Sequence, residues 1–262
     1  GRGGSDATAV ALAAALGAAC EIYSDVAGVY TTDPRIVPGA RKLPRISYEE
    51  MLEMSASGAK VLMLRSVELA RNHGVRVHAR STFSDEEGTW IGEEGMERAI
   101  ISGITLSEKE VVFTISGIPD RPGAAATVFD AVAEHNVNVD TIIQNVVHGR
   151  AELSFSVPTE DVEATRRALD GVKATLGEFD VEEEHNLGKV SLIGAGMRSH
   201  PGIAAKMFRT IADLGVNLSM ISTSPIKISC MIRKSDLHTV VRALHDAFSL
   251  ERAPEEEVIP RG

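Results

Sequence analysis

"VVFTISGIPDRPGAAATVFDAVAEHNVNVDTIIQN", Val111 to Asn145, returns 79 residues later as "VSLIGAGMRSHPGIAAKMFRTIADLGVNLSMISTS", Val190 to Ser224. Without a gap, Gly117 falls on Gly196, Pro122-Gly123 on Pro201-Gly202, Phe129 on Phe208, Ala133 on Ala212 and Val137-Asn138 on Val216-Asn217. Further on the offset drops to 75, so that "AELSFSV" matches "IKISCMI" and Ala168-Leu169 matches Ala243-Leu244. The lost residues fall in a hairpin loop, where shortening costs little. A fixed-period match of this kind marks two copies of one folding unit.

Each copy has a readable pattern. Val112, Thr114 and Ser116 alternate with Phe113 and Ile115, as in a half-buried strand. From Gly123 onward, Ala125, Val128, Phe129, Val132 and Ala133 recur at helical spacing. Residues 139–146 and 152–157 read as a hairpin, and 162–176 as a second helix capped by "TED". Each copy is therefore expected to run strand, helix, strand, strand, helix, strand, which is the ferredoxin-like split βαβ plan. Units of roughly 70 residues have small cores and gain by packing together.

Upstream, "SDATAVALAAALG" from Ser5 reads as a helix with a Ser/Asp start and a glycine stop. A strand at Glu21–Tyr23 precedes the loop "SDVAGVYTTDPR". "SYEEMLEMSASGAKVL" reads as a helix closed by Gly58, "MLRSVELARNHG" as a helix ending at Gly74, and "VRVHARST" as a strand. The order suggests an α/β layer with parallel strands. The acidic, glycine-rich stretch "SDEEGTWIGEEG", Ser84 to Gly95, marks a domain boundary.

Composition narrows the function classes. The 262 residues carry a net charge of −10, which argues against nucleic acid as partner. No apolar run reaches the roughly 18 residues of a membrane span, and no basic leader precedes an apolar core. A cytoplasmic protein is expected, with Cys20 and Cys230 as buried, reduced thiols. His73, His78, His135, His148, His185 and His200 lack metal-ligand spacing, so no metal site is expected.

Three places carry candidate chemistry. "PDRPG" and "SHPG" place Pro-Gly at a helix start, where free N–H groups attract carboxylates or phosphates. With Asp120 available for an ammonium group, a free amino acid suits the loop; Asp120 and Ser199 read equally well as helix caps, and Asn138 and Asn217 as turn residues. "GRGGSD" permits close backbone approach, and Arg2 can hold a carboxylate bidentately. It reads equally as a glycine-rich turn with Ser5 and Asp6 capping a helix, and no GK[ST] follows to make it a phosphate-binding P-loop. Asp25, Asp33 and Arg35 surround a loop that follows a strand, where α/β folds bind ligands. By itself Lys60 reads as a surface lysine.

Taken together, "GRGGSD", "SDVAGVYTTDPRIV", "ISYEEMLEMSASGAKVL" and the two repeat loops, in this order over nearly the whole chain, resemble the aspartokinase family in its actinobacterial form. The resemblance implies a C-terminal part of an amino-acid-kinase three-layer α/β sandwich over residues 1–90, then a linker with a leading strand over 91–108. Two ferredoxin-like βαββαβ ACT domains would follow over 109–186 and 187–262. The implied reaction is in-line phosphoryl transfer from ATP with Mg2+ to the side-chain carboxylate of L-aspartate, the first step toward lysine, threonine and methionine. Lysine and threonine would be allosteric effectors at the ACT domains. Homo-oligomers or heterotetramers of the α2β2 type would form through these domains, with effector sites between the first repeat of one chain and the second repeat of another. The earlier part of the catalytic domain, with its lysine and phosphate loop, would precede Gly1, so the chain alone is expected to be inactive.

By motif match, the resemblance assigns Arg2, Gly3, Gly4, Ser5 and Asp6 to the aspartate site. It assigns Ser24, Asp25, Tyr30, Thr31, Thr32, Asp33, Pro34, Arg35, Lys60 and Val61 to the ATP site. Effector contacts are implied at Asp120, Arg121, Pro122, Gly123, Ala124, Ala125, Asn138, Val139, Asp140 and Gln144 in the first repeat. In the second they are Ile203, Ala204, Asn217, Leu218, Thr223 and Ser224. Met63-Leu64 stand where the family has His-Pro, and Pro225 stands where an acidic residue is common. An alternative function is a non-catalytic, amino-acid-sensing regulatory subunit, for which Met96 offers an internal start. A kinase for glutamate or uridylate fits less well, because of the tandem repeat.

Overall fold

The computed structural model describes residues 4–93, 100–147 and 149–253. Arg2, Gly3 and Met96 lie outside the described residues. Gly1–Leu106 together with Val190–Gly262 form one compact unit, and Ser107–Lys189 form another.

In the first unit the chain opens with α1 (Gly4–Leu16) and β1 (Cys20–Ser24). Ser5 and Asp6 sit inside the first turn of α1, not ahead of it as helix caps, and their side chains meet each other at 3.4 Å. β2 (Arg45–Ser47) leads directly into α2 (Tyr48–Ala56), followed by α3 (Leu64–His73), β3 (Val77–Ser81) and β4 (Thr89–Gly92). Ser47 and Glu50 form a reciprocal capping box that starts α2. Gly74 ends α3 at φ +64, the left-handed geometry that glycine adopts without strain. β1 and β3 run parallel, but the sheet, in the order β1-β3-β4-β2, is mixed, because β4 is antiparallel to β3. β4 lies within the acidic stretch read as a boundary. Its Ile91 is buried, and its Trp90 stacks on His78 with centroids 4.0 Å apart, so side-chain packing adds to the backbone pairing with β3 and β2 that holds this strand on the sheet. Val10, Val29, Ile46, Met51, Met54, Val67, Val77 and Ile91 share one core beneath the helices. β5 (Gly103–Ser107) follows.

The second unit is the first repeat: β6 (Glu110–Pro119), α4 (Ala124–Glu134), β7 (Ile142–Val147), β8 (Arg150–Pro158), α5 (Val162–Leu176) and β9 (Asp180–Glu184). Its antiparallel sheet has the order β7-β8-β6-β9, as the ferredoxin-like plan requires. Phe113 and Ile115 face α4 and α5 across a core with Phe155, Leu153, Val128, Val132 and Leu169. The helix stripe differs from the expected one by a residue at each end: Ala124, Val128 and Val132 are buried, Phe129 is half-buried and Ala133 is exposed. Gly117, at φ +90, makes a bulge in β6 that redirects the strand end and Asp120 beyond it. The "TED" segment is a 3-10 turn, and Asp161 contributes its backbone carbonyl to Thr165 Oγ1 (2.8 Å), not a side-chain cap.

The second repeat supplies β10 (Leu187–Ile193), α6 (Ile203–Asp213), β11 (Met220–Ser224), β12 (Lys227–Arg233) and α7 (Leu237–Ala247). Gly123 and Gly202 start α4 and α6 at φ +92 and +97, and Asn136 and Gly215 follow those helices at φ +57 and +72. The offset of the aligned sequences thus holds residue for residue through the first helix. One element departs from the expected plan. The second repeat has no closing strand of its own among the described residues; its sheet runs β11-β12-β10-β5. The edge position that β9 fills in the first repeat is taken by β5, from ahead of the first repeat. Within β5, "GITL" places Ile104 in the core of the second repeat. The second ferredoxin-like fold is therefore discontinuous in sequence, with the first inserted into it.

Cys20 and Cys230 are free and buried, and burial pushes the Cys230 thiol up to about 12. Iodoacetamide near neutral pH should therefore leave both thiols unmodified in the native protein and alkylate both once it is unfolded in urea, as read by mass spectrometry. Rapid alkylation of the native chain would contradict this packing.

Candidate functional site

The loop after β1 is built on buried polar anchors. Val29 N donates to Thr89 Oγ1 at 2.8 Å, and Thr89 Oγ1 donates to Leu43 O at 2.6 Å. Gly28, at φ +128, allows this approach: a Cβ there would lie 2.5 Å from Thr89 Oγ1. From this base the chain runs through Tyr30, Thr31 and Thr32 to Asp33 and Arg35. Thr31 and Thr32 are buried, Tyr30 and Asp33 are half-buried, and Pro34 and Arg35 are exposed. Arg35 Nη2 meets Asp33 Oδ2 at 2.6 Å. The hydrogen bond from Arg35, and after it the charges of Arg35 and Lys60, hold the Asp33 carboxyl below its ordinary range. The Arg35 guanidinium in turn feels Asp25. Asp25, Asp33, Arg35 and Lys60 therefore share one electrostatic neighbourhood beyond the C-terminal end of β1, where parallel α/β layers present ligand sites. Two cations beside carboxylates are a donor set that fits a nucleotide polyphosphate. Among the described residues no group of three or more His, Cys, Asp and Glu side chains gathers into a metal cage. Ser24 turns its hydroxyl onto its own loop at Val26, and Val61 packs half-buried beside the core.

Gly4, Ser5 and Asp6 stand at the start of α1, exposed or half-exposed. The segment between α2 and α3 carries Lys60 exposed. Met63 occupies the cap position of α3 without a side-chain bond, and the helix forms regardless.

The first repeat has its own small cleft of about 100 Å³. Ile118, Pro119, Asp120 and Arg121 line one side, the α4 start from Gly123 to Ala126 another, and Gln144, Ala151 and Leu153 the floor. First-turn N–H groups with a carboxylate opposite can take the two ends of a zwitterion. Of the residues assigned here by motif, the cleft gathers Asp120, Arg121, Gly123, Ala124, Ala125 and Gln144. Pro122, Asn138, Val139 and Asp140 do not line it, and Asp140 is engaged elsewhere, accepting from Lys189 Nζ at 2.5 Å. In the second repeat Ile203 and Ala204 begin α6, Thr223 and Ser224 end β11, Asn217 is exposed and Leu218 packs against the core. Pro225 lies in the tight turn between β11 and β12.

The amino acid kinase family pattern matches residues 1–81, and the ACT domain pattern matches residues 112–174 and 190–248. The regulatory subunit of aspartate kinase from Thermus thermophilus, in its ligand-free structure, is 36% identical and overlays with a TM-score of 0.54. That overlay covers 57% of this chain and 99% of the subunit. The chain belongs to the aspartokinase family. The aspartokinase of Mycolicibacterium smegmatis is 49% identical over 258 residues, 95% of this chain. The chain spans 61% of that curated relative's length. Aspartokinase III of E. coli in complex with aspartate and ADP is 29% identical with a TM-score of 0.80, over 94% of this chain and 56% of that one. The same enzyme with lysine and aspartate is 30% identical with a TM-score of 0.76, over 95% and 56%.

Within this aspartokinase architecture, three buried polar residues escaped sequence reading. Glu50 is buried at the head of α2. Its Oε2 accepts from Ser47 N (3.2 Å) and Ser47 Oγ (2.6 Å), and its Oε1 from Ala195 N (3.0 Å) and Ser102 Oγ. It thereby joins α2 to the segments flanking β5 and β10. Lys189 is buried between Glu110 (3.0 Å) and Asp140; burial alone would lower its pKa, but the two carboxylates outweigh this and raise it. His245 is buried on α7 against Thr31. Only the Ser47-x-x-Glu50 spacing carried a sequence signal, that of a capping box. Glu50→Ala should strand four donor groups from three residues and lower stability by about 2–4 kcal/mol, with a smaller loss for Glu50→Gln, measured by urea denaturation. A loss within the ordinary surface range of roughly 0.5 kcal/mol for Glu50→Ala would contradict the joint.

Proposed function

We propose that this chain is the C-terminal portion of an aspartate kinase. Completed to the length of its relatives, it transfers the terminal phosphoryl group of ATP, carried with Mg2+, to the side-chain carboxylate of L-aspartate. The observation that carries this reading is the Asp33–Arg35 ion pair beyond β1, whose carboxylate also feels the Lys60 charge, in a family where a relative binds aspartate and ADP. Phosphoryl transfer needs positioning and charge neutralisation above all. Lys60 and Arg35 would attract the phosphates, and the Tyr30–Arg35 loop, with Ser24, Asp25 and Val61, would shape the nucleotide site. Mg2+ arrives with the nucleotide and keeps much of its water, so a dedicated protein cage is not required. The start of α1, with Arg2 through Asp6, would hold aspartate.

The cleft of the first repeat is proposed as an effector site. Asp120 would take the ammonium group of threonine and the N–H groups after Gly123 its carboxylate, with Gln144 at the side-chain end. Lysine would sit in the second repeat, toward Ser224; a relative's complex with lysine supports it as an effector class. Both sites would be completed by a second chain, in homo-oligomers or α2β2 assemblies. No described helix is long and apolar enough to cross a membrane, and buried free thiols suit a cytoplasmic location. A second reading, a stand-alone regulatory subunit, is favoured by the match to the Thermus subunit. That match leaves residues 1–81, which fit the kinase family pattern, without a role.

Two measurements test this. The chain as it stands should show no aspartate-dependent ADP release in a coupled assay, because the phosphate loop of the family lies upstream; turnover above background would overturn this. Asp120→Ala should weaken threonine binding at least about thirtyfold by calorimetry, the loss expected for one partner of a charge pair, while lysine binding stays largely intact. Unchanged threonine affinity would remove Asp120 from the site.

A further inference from the structure

Thr31 stands in the middle of the loop assigned to the nucleotide, yet it is fully buried. Its polar groups are all engaged. Its N–H donates to Arg41 O at 2.8 Å, and its carbonyl accepts from Ile104 N of β5 at 2.7 Å. Its Oγ1 accepts from Arg41 N at 3.0 Å and pairs with His245 Nε2 at 3.0 Å. The approach to β5 depends on Gly103, where a Cβ would lie 2.6 Å from Thr31 O.

The same helix reaches the loop a second time. Arg242, one turn before His245 on α7, donates from Nε to Ile36 O at 3.0 Å. Val37 belongs to the core beneath α7, with Val240, Val241 and Leu244. The loop is therefore held on both sides of Asp33 and Arg35: at Thr31 by His245, and at Ile36 by Arg242. Burial keeps the His245 pKa below its ordinary value, so the ring is neutral and makes a neutral hydrogen bond. His245 meets the loop through the Thr31 hydroxyl and Arg242 through the Ile36 carbonyl.

We infer that α7 of the second repeat positions the Tyr30–Arg35 loop for nucleotide, with His245 as the principal positioning residue and Arg242 as its support. The second helix of the second repeat would thereby form the floor of the nucleotide site. This rests on the reading of that loop as nucleotide-binding.

The test uses the complete enzyme with the variants His245→Phe, which keeps the ring volume, His245→Gln, which keeps a hydrogen-bonding group near the Nε2 position, and Arg242→Met, which changes an exposed residue. Amide hydrogen exchange at Arg41 should accelerate about tenfold in His245→Phe, and the KM for ATP should rise by a similar factor, the scale of one lost hydrogen bond. The KM for aspartate and kcat should stay within about twofold, and His245→Gln should restore the ATP KM. Arg242→Met should shift ATP KM the same way, by roughly threefold, and carries the test if His245→Phe does not fold. Unchanged exchange across the loop in the folded variants would overturn the clamp. Faster exchange with an unmoved ATP KM would instead overturn the nucleotide reading of the loop, and the positioning role with it.

Discussion

The structure depends on one backbone pairing: β5 closing the sheet of the second repeat. A central strand such as β10, buried along its whole length, must hydrogen-bond on both edges. β12 satisfies one edge, and β5 satisfies the other. Because β5 precedes the first repeat in the chain, the first repeat becomes an insertion, and the sheet is tied to the segment leading out of the kinase-type layer. Ile104 N, Gly103 and Ser102 then lie where they meet Thr31, Met54 and Glu50. Gly194 is part of the same seam, with its Cα near the Ile100 carbonyl, where a Cβ would lie 2.2 Å from that oxygen.

Buried polar groups mark the joints of this design. Glu50, Thr31 and Lys189 are buried, and each is satisfied by several partners drawn from separate segments. A buried polar group without partners is costly, so such a group admits few arrangements of the segments around it. Apolar packing alone, as among Phe113, Phe129 and Phe155, tolerates sliding and volume-conserving exchange. The carboxylate of Glu50 and the hydroxyl of Thr31 fix register where apolar contact would leave it loose.

The two repeats share a scaffold and diverge in what surrounds it. In the first, α4 and β7 border an open cleft with Asp120 and Gln144. In the second, α7 and β5 lie against the loop and helix of the kinase-type layer, and Lys227 pairs with Glu53 of α2 at 2.9 Å. The internal duplication thus yields one copy with an open cleft and one copy built into the kinase-type layer.

The local periodicities were written in the amino-acid order. The strand and helix at the head of the first repeat and the glycines at left-handed positions follow from short-range sterics and from the burial of one face, so they could be read from spacing, although Val112 is buried together with Phe113 and the α4 stripe is displaced at both ends. The stretches around Asp33 and Asp120 were legible as loops for the same reason, since they carry Pro, Gly and Asp at turn positions. The partner of β10 was not legible. Strand pairing is made by backbone amides that every residue carries, and "GITL" has no side-chain signature naming its neighbour. Nor were the roles of His245, Lys189 and Glu50. Each is decided by which segments converge on it across long sequence distances, and that convergence exists only once the sheet has closed.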